Sequence, residues 1–172
     1  MRYYAIAVTL CAAATAGYAD EVPHRKPGLW EVVTHSENSQ RPQMTQRICL
    51  DRDTESLLDR AAVASSREAC SNSQTHVSGT LVTVKATCDL GKTRLTTEAS
   101  IKFESDSAYH TEVHSTFNPP MGGKSTDHST QDAKWTGACP ADMKPGDMLM
   151  QAPGPHPSVT RINLRSLLSP KF

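Results

Sequence analysis

CSNSQTHVSGTLVTVKATCDLGKTRLTTEASIKFESDSAYHTEVHSTF, residues 70–117, decides the fold. Apolar and polar residues alternate along it with period two, the pattern of strands with one face buried and the other wet. Turn residues at Ser78-Gly79, Asp89-Leu90-Gly91 and Glu104-Ser105-Asp106 divide it into four strands of an antiparallel meander. In the third strand Leu95, Ala99, Ile101 and Phe103 share a face with Thr93 and Thr97. Arg94, Thr96, Glu98, Ser100 and Lys102 take the other face. In the fourth, Tyr109, Val113 and Phe117 oppose His110, Glu112 and His114.

Upstream of this meander, residues 29–34 read as a short strand with Trp30 and Val32 on one face. Residues 44–50 read as a second, with Met44, Gln46 and Ile48 together, and a loop over 36–42 between the two. The period changes over residues 53–64, where Leu57, Leu58, Ala61, Ala62 and Val63 fit a short helix capped by Asp53 or Thr54. Residues 20–26 read as a mobile polar leader.

Downstream, Asn118-Pro119-Pro120-Met121-Gly122-Gly123 is a turn cluster. It leads into residues 124–135, polar on both faces and therefore expected at a sheet edge. Six of the eleven prolines fall in residues 140–172, so that tail is expected to be irregular, apart from a turn of helix or strand near 160–168. The fold class is mainly β: an antiparallel meander forming a curved sheet or partly open barrel of about seven strands, with one short helix. One β-rich domain over residues 20–139 and a proline-rich extension over 140–172 are expected.

Residues 1–19 read as a secretory signal peptide rather than as part of the fold. Arg2 precedes an apolar run over residues 5–16, and Gly17-Tyr18-Ala19 places small residues before a cut between Ala19 and Asp20. The run is shorter than the roughly 20 apolar residues a membrane-spanning helix needs. Leu10, directly before Cys11, does not suit lipoprotein processing, and Cys11 is expected to leave with the leader. The resulting location is periplasmic. Losing Arg2 leaves 17 basic residues against 18 acidic ones, a balance that offers no basic patch for nucleic acid. No second long apolar run follows, so no integral membrane span is expected in the mature chain.

Four cysteines remain in that chain: Cys49, Cys70, Cys88 and Cys139. An even number in an exported chain implies two disulfides, and none of the gaps is the C-x2-C of a zinc site. Cys70 and Cys88 lie symmetrically about position 79 in the first hairpin, which sets them opposite one another and leaves Cys49 for Cys139. The rival pairing is Cys49–Cys70 with Cys88–Cys139.

Three stretches taken together carry a resemblance. They are Lys26-Pro27-Gly28-Leu29-Trp30-Glu31, the four spaced cysteines, and Trp135-Thr136-Gly137-Ala138-Cys139-Pro140 followed by Lys144-Pro145-Gly146-Asp147. The chain resembles, over about residues 23–150, a family of small exported bacterial proteins known as domain of unknown function 3617. The resemblance implies an envelope location and a β-rich fold. It brings no catalytic residues with it.

Candidate chemistry is sparse. His110 and His114 share a strand face, but positions four apart in a strand lie about 13 Å apart, so one ion cannot bind both. Either has a possible partner in His128 or His35 on a neighbouring strand. Met121, Met143, Met148 and Met150 are soft donors of the kind Cu(I) takes; packing on the sheet accounts for them as well. No G-x-S-x-G, H-E-x-x-H or phosphate-binding glycine loop occurs. Hence no catalytic, cofactor or metal residues are assigned, and the chain is not expected to be an enzyme. The leading expectation is a non-catalytic module binding a small apolar or lipid-like ligand. The alternatives are a structural or protein-interaction role in the envelope, and zinc or copper binding.

Overall fold

A computed structural model describes residues 21–37, 43–152 and 158–168. The expected leader over 1–19 lies outside the described residues, as does most of the loop expected over 36–42. Nine strands form one open antiparallel sheet. In chain order they are β1 (Gly28–Ser36), β2 (Met44–Leu50), β3 (Cys70–Ser78), β4 (Leu81–Asp89), β5 (Arg94–Ser105), β6 (Ala108–Met121), β7 (Lys124–Gly137), β8 (Asp147–Ala152) and β9 (Ser158–Asn163). Helices α1 (Arg52–Ala69) and α2 (Leu164–Leu168) complete the fold. Across the sheet the order is β3-β4-β5-β6-β7-β1-β2-β8-β9.

The meander is the one its alternation predicts. Leu95 pairs with Phe117, Ala99 with Val113 and Phe103 with Tyr109 on one face, while Glu98 pairs with His114 and Lys102 with His110 on the other. Two expectations about strands are corrected. Residues 124–135 are not an edge: β7 lies inside the sheet, between β6 and β1. Only Ala133 and Trp135 of β7 reach the core, so a largely polar strand is tolerated there. The tail is not irregular, because β8 pairs with β2 and β9 with β8. The sheet thus has nine strands rather than about seven. The prolines bracket β8 and β9 without entering either, so no ladder donor is lost.

Helix α1 is longer than expected and is capped by Asp51, not Asp53 or Thr54. Asp51 Oδ1 accepts the Thr54 N–H at 2.8 Å and the Thr54 hydroxyl at 2.6 Å, the geometry of an N-cap oxygen meeting the first turn. Asp53 and Glu55 put negative charge in that turn, where the helix dipole favours it. The polar leader is docked rather than mobile at its end. The Arg25 N–H and its guanidinium both donate to the buried Glu55, at 2.7 and 3.1 Å.

The core centres on Trp30, Val32, Ile48, Leu50 and Ala133, with Leu58 of α1, Tyr109, Trp135, Met148 and Leu164 packed against it. Tyr109 joins the Trp30 and Phe103 rings at centroid distances of 5.6 and 5.5 Å. Two disulfides close the frame, Cys49–Cys139 and Cys70–Cys88. They bind opposite ends of the strands, and α1 runs between them. Six strand spacings separate β2 from β3, about 29 Å in a flat sheet. Crossing from one strand end to the other adds about 30 Å, against a reach of roughly 27 Å for an 18-residue helix. The sheet must therefore curve around α1.

Candidate functional site

The convex, wet face collects five of the six histidines among the described residues. The pairing registers place His35, His76, His110, His114 and His128 on the same side of the sheet. Two of them converge. His114 on β6 faces His128 on β7 directly, and their rings stack with centroids 4.2 Å apart and planes 2° from parallel. Glu112 sits two residues before His114 on the same face. Its Oε1 lies 3.1 Å from Nε2 of His114 and 3.1 Å from Nε2 of His128. The remaining ring nitrogen of His128, Nδ1, lies 2.9 Å from Glu37 Oε2.

These contacts explain the local electrostatics. The hydrogen bond that His128 donates to Glu37 raises it above the ordinary imidazole value; partial burial opposes this, and Glu112 adds to it. The two imidazoles hold Glu112 below the usual carboxylate range.

Of the pairings open in the sequence, His114 takes His128. His110 instead meets Asp132 across the strands, at 2.8 Å, and does not join His114. The methionines are scattered. Met143 is buried before β8, Met148 packs on the core, and Met121 is exposed at the β6–β7 turn. Sequence reasoning placed Glu112 on the face between His110 and His114 without giving it a role, and did not name Glu37. The His-x-Glu-x-His spacing on one strand marks Glu112, whereas nothing in the sequence marks Glu37.

The concave face changes character along its length. At one end Trp30, Val32, Phe103 and Ala133 are buried. Toward the other, Val82, Thr111 and Cys88 are buried, whereas Leu95, Ala99, Ile101, Val113 and Phe117 are only half-buried. Hydroxyls interleave with them: Thr97 and Ser115 lie 3.3 Å apart, and the buried Thr34 Oγ1 has no hydrogen-bond partner among the described residues.

The stretches that carry the family resemblance meet one another around Trp30 and Trp135. The Trp30 indole N–H donates to Lys26 O at 2.8 Å, and that of Trp135 to Pro27 O at 3.0 Å. Lys26 Nζ lies over the Trp135 ring at 4.0 Å. Gly28 has φ +137°, and a Cβ there would strike Gly137 O and the Trp135 indole nitrogen; only glycine fits. Gly146, at φ +93°, donates its N–H to Cys49 O and accepts from Leu164 N–H. Asp147 accepts from Lys144 N–H and the Asn163 amide, both at 2.8 Å. These residues thus help to close the β7-β1-β2-β8 side of the sheet.

Among the described residues, no helix is long and apolar enough to cross a membrane. No curated protein and no solved structure matches the chain significantly. A family profile described as "protein of unknown function (DUF3617)" matches residues 25–139, well over half of the sequence. The chain belongs to this family.

Proposed function

We propose that this chain is an exported, non-catalytic module that holds a small apolar or lipid-like molecule on the concave face of its sheet. The observation that carries the reading is the incomplete burial of Leu95, Ala99, Ile101, Val113 and Phe117 on the side of the sheet that faces α1. Apolar surface left in water costs about 25 cal/mol per Å², so an apolar guest covering these side chains binds favourably. Thr34 Oγ1, buried without a partner among the described residues, offers a polar group to orient it. Export is supported by two disulfides, which persist in oxidising compartments, and by the leader-like composition of residues 1–19. A non-catalytic role is supported by the family motifs, several of whose residues, among them Trp30, Trp135 and Gly146, are engaged in holding the sheet together.

Native mass spectrometry of the full-length gene product, expressed and recovered from a bacterial envelope, tests this. The expected spectrum shows a chain beginning at Asp20 with an added mass in the lipid range. A chain that carries no added mass and fails to bind a fluorescent fatty-acid probe rejects the ligand and favours a protein-interaction role. A retained Met1 rejects export.

A further inference from the structure

On the opposite, convex face, and independently of the apolar ligand, we propose that Glu112, His114 and His128 form a binding site for a first-row transition dication of the zinc and copper(II) class. The donor atoms of the three residues lie within 4.8 Å of one another. Convergence distinguishes this cluster from an ordinary wet sheet face. His110 and Asp132 make a one-to-one pair. In the cluster, by contrast, two imidazole nitrogens aim at a single carboxylate oxygen, each from 3.1 Å. Metal–nitrogen bonds of 2.0–2.1 Å put neighbouring ligands of a tetrahedral ion about 3.3 Å apart. The two nitrogen–oxygen separations are therefore close to those an ion demands, and all three donors already lie within 4.8 Å of one another.

The surroundings suit the same reading. Both histidines offer Nε2, and His128 keeps its Nδ1 on Glu37 at 2.9 Å. That is the arrangement in which a carboxylate fixes the tautomer and orientation of a metal-bound histidine. Adjacent positions on paired strands hold the three backbones in place. A metal–nitrogen bond lies in the plane of its imidazole, so the rings must tilt out of their parallel stack on binding. The His114 side chain, 61% exposed, is free to swing.

Imidazole and carboxylate donors without thiolate or thioether select Zn²⁺, Cu²⁺ and Ni²⁺ over Cu(I), with Cu²⁺ the tightest. Three protein ligands leave a coordination position for water or an incoming group.

Calorimetric titration of the purified, disulfide-intact protein with ZnCl2 and CuCl2 at pH 7.5 tests the site. One ion per chain is expected for each metal, with the two rings unstacking in imidazole NMR spectra. H114Q and H128Q should each weaken binding by at least about tenfold, and E37Q, acting only through His128, by about tenfold. H110Q and H35Q, on the same face but outside the cluster, should leave it unchanged. Unaltered near-ultraviolet circular dichroism in each variant separates lost binding from lost folding. Absence of stoichiometric binding overturns the proposal, as does full affinity in H114Q or H128Q, or an equal loss in H110Q.

Discussion

Asp51 joins three parts of the chain through one carboxylate. It caps α1 by accepting from the N–H and hydroxyl of Thr54, and it receives the guanidinium of Arg165 on both oxygens at 2.6 Å. Arg165 also donates from Nε to Thr54 Oγ1 at 2.9 Å, so α2 is fastened to the start of α1 across more than a hundred residues. Burial pushes the Asp51 carboxyl up. The Thr54 donors and Arg165 outweigh it and hold the group below its ordinary 3.8. Asp147 is held below 3.8 as well, chiefly by the Asn163 amide and the Lys144 N–H. A depressed carboxylate contributes stability that is present above 3.8 and is lost as pH falls through the lower folded value. Urea unfolding should therefore show stability falling from pH 5 toward pH 2. D51N, which keeps an oxygen for Thr54, should flatten part of that fall and leave the share due to Asp147. D51A should in addition remove the cap, at about 1 kcal/mol. An unchanged pH slope in D51N would contradict the assignment. The histidine cluster was only half legible at this scale. Met121 pairs with Lys124 around Gly122-Gly123, and that register alone would set His114 opposite position 131. A bulge through Asn118-Pro119-Pro120 absorbs three residues and brings His128 there instead. Nothing in the residue types announces how many residues a bulge absorbs.

Helix α1 is anchored near both ends by a disulfide. Cys49 lies just before it and Cys70 just after it, and each is joined to a strand: Cys49 to the end of β7 through Cys139, Cys70 to β4 through Cys88. The two loops differ greatly in length, with sequence separations of 90 and 18. In the loop-entropy account the longer contributes roughly 4–5 kcal/mol and the shorter roughly 3. Replacing Cys49 and Cys139 together by serine should therefore cost more, in urea unfolding, than replacing Cys70 and Cys88. The reverse order would mean that native-state packing, not the unfolded chain, decides the effect. The 70–88 pairing was legible because the two cysteines flank one hairpin, though the detail was not. The hairpin closes on Ser78 and Leu81, which alone would align Cys70 with Asp89. A bulge between Cys70 and Asn72 returns it to Cys88. The two C-terminal strands were hidden by proline content, which was read as a property of the whole tail. Proline is informative by position: Pro140 and Pro145 end before Asp147 begins β8, and the ladder is untouched.

At the scale of the whole molecule, the curved sheet separates two kinds of surface. Alternation along each strand made both faces legible in the sequence, but not which part of the concave face α1 covers. That depends on where a helix of fixed length lands on a curved sheet. Ala99 and Ala133 offer a direct comparison. Both are small residues on the concave face; Ala133 is 1% exposed within the core, while Ala99 is half-buried between Val84 and Val113. Extra methylene groups in a filled core force strain of about 1–3 kcal/mol. A133L should lose about that much in urea unfolding. If the concave face is open at Ala99, the leucine of A99L meets apolar neighbours without displacing them. Its stability should then stay within about 1 kcal/mol of the parent protein. The same side chain would occupy space that a ligand needs, so affinity for a fluorescent fatty-acid probe should drop at least about fivefold, a change of roughly 1 kcal/mol in binding. Equal destabilisation of A99L and A133L would show Ala99 to lie in a filled core and would remove the physical basis for a ligand there. Unchanged probe binding in a stable A99L would place the probe elsewhere on the molecule.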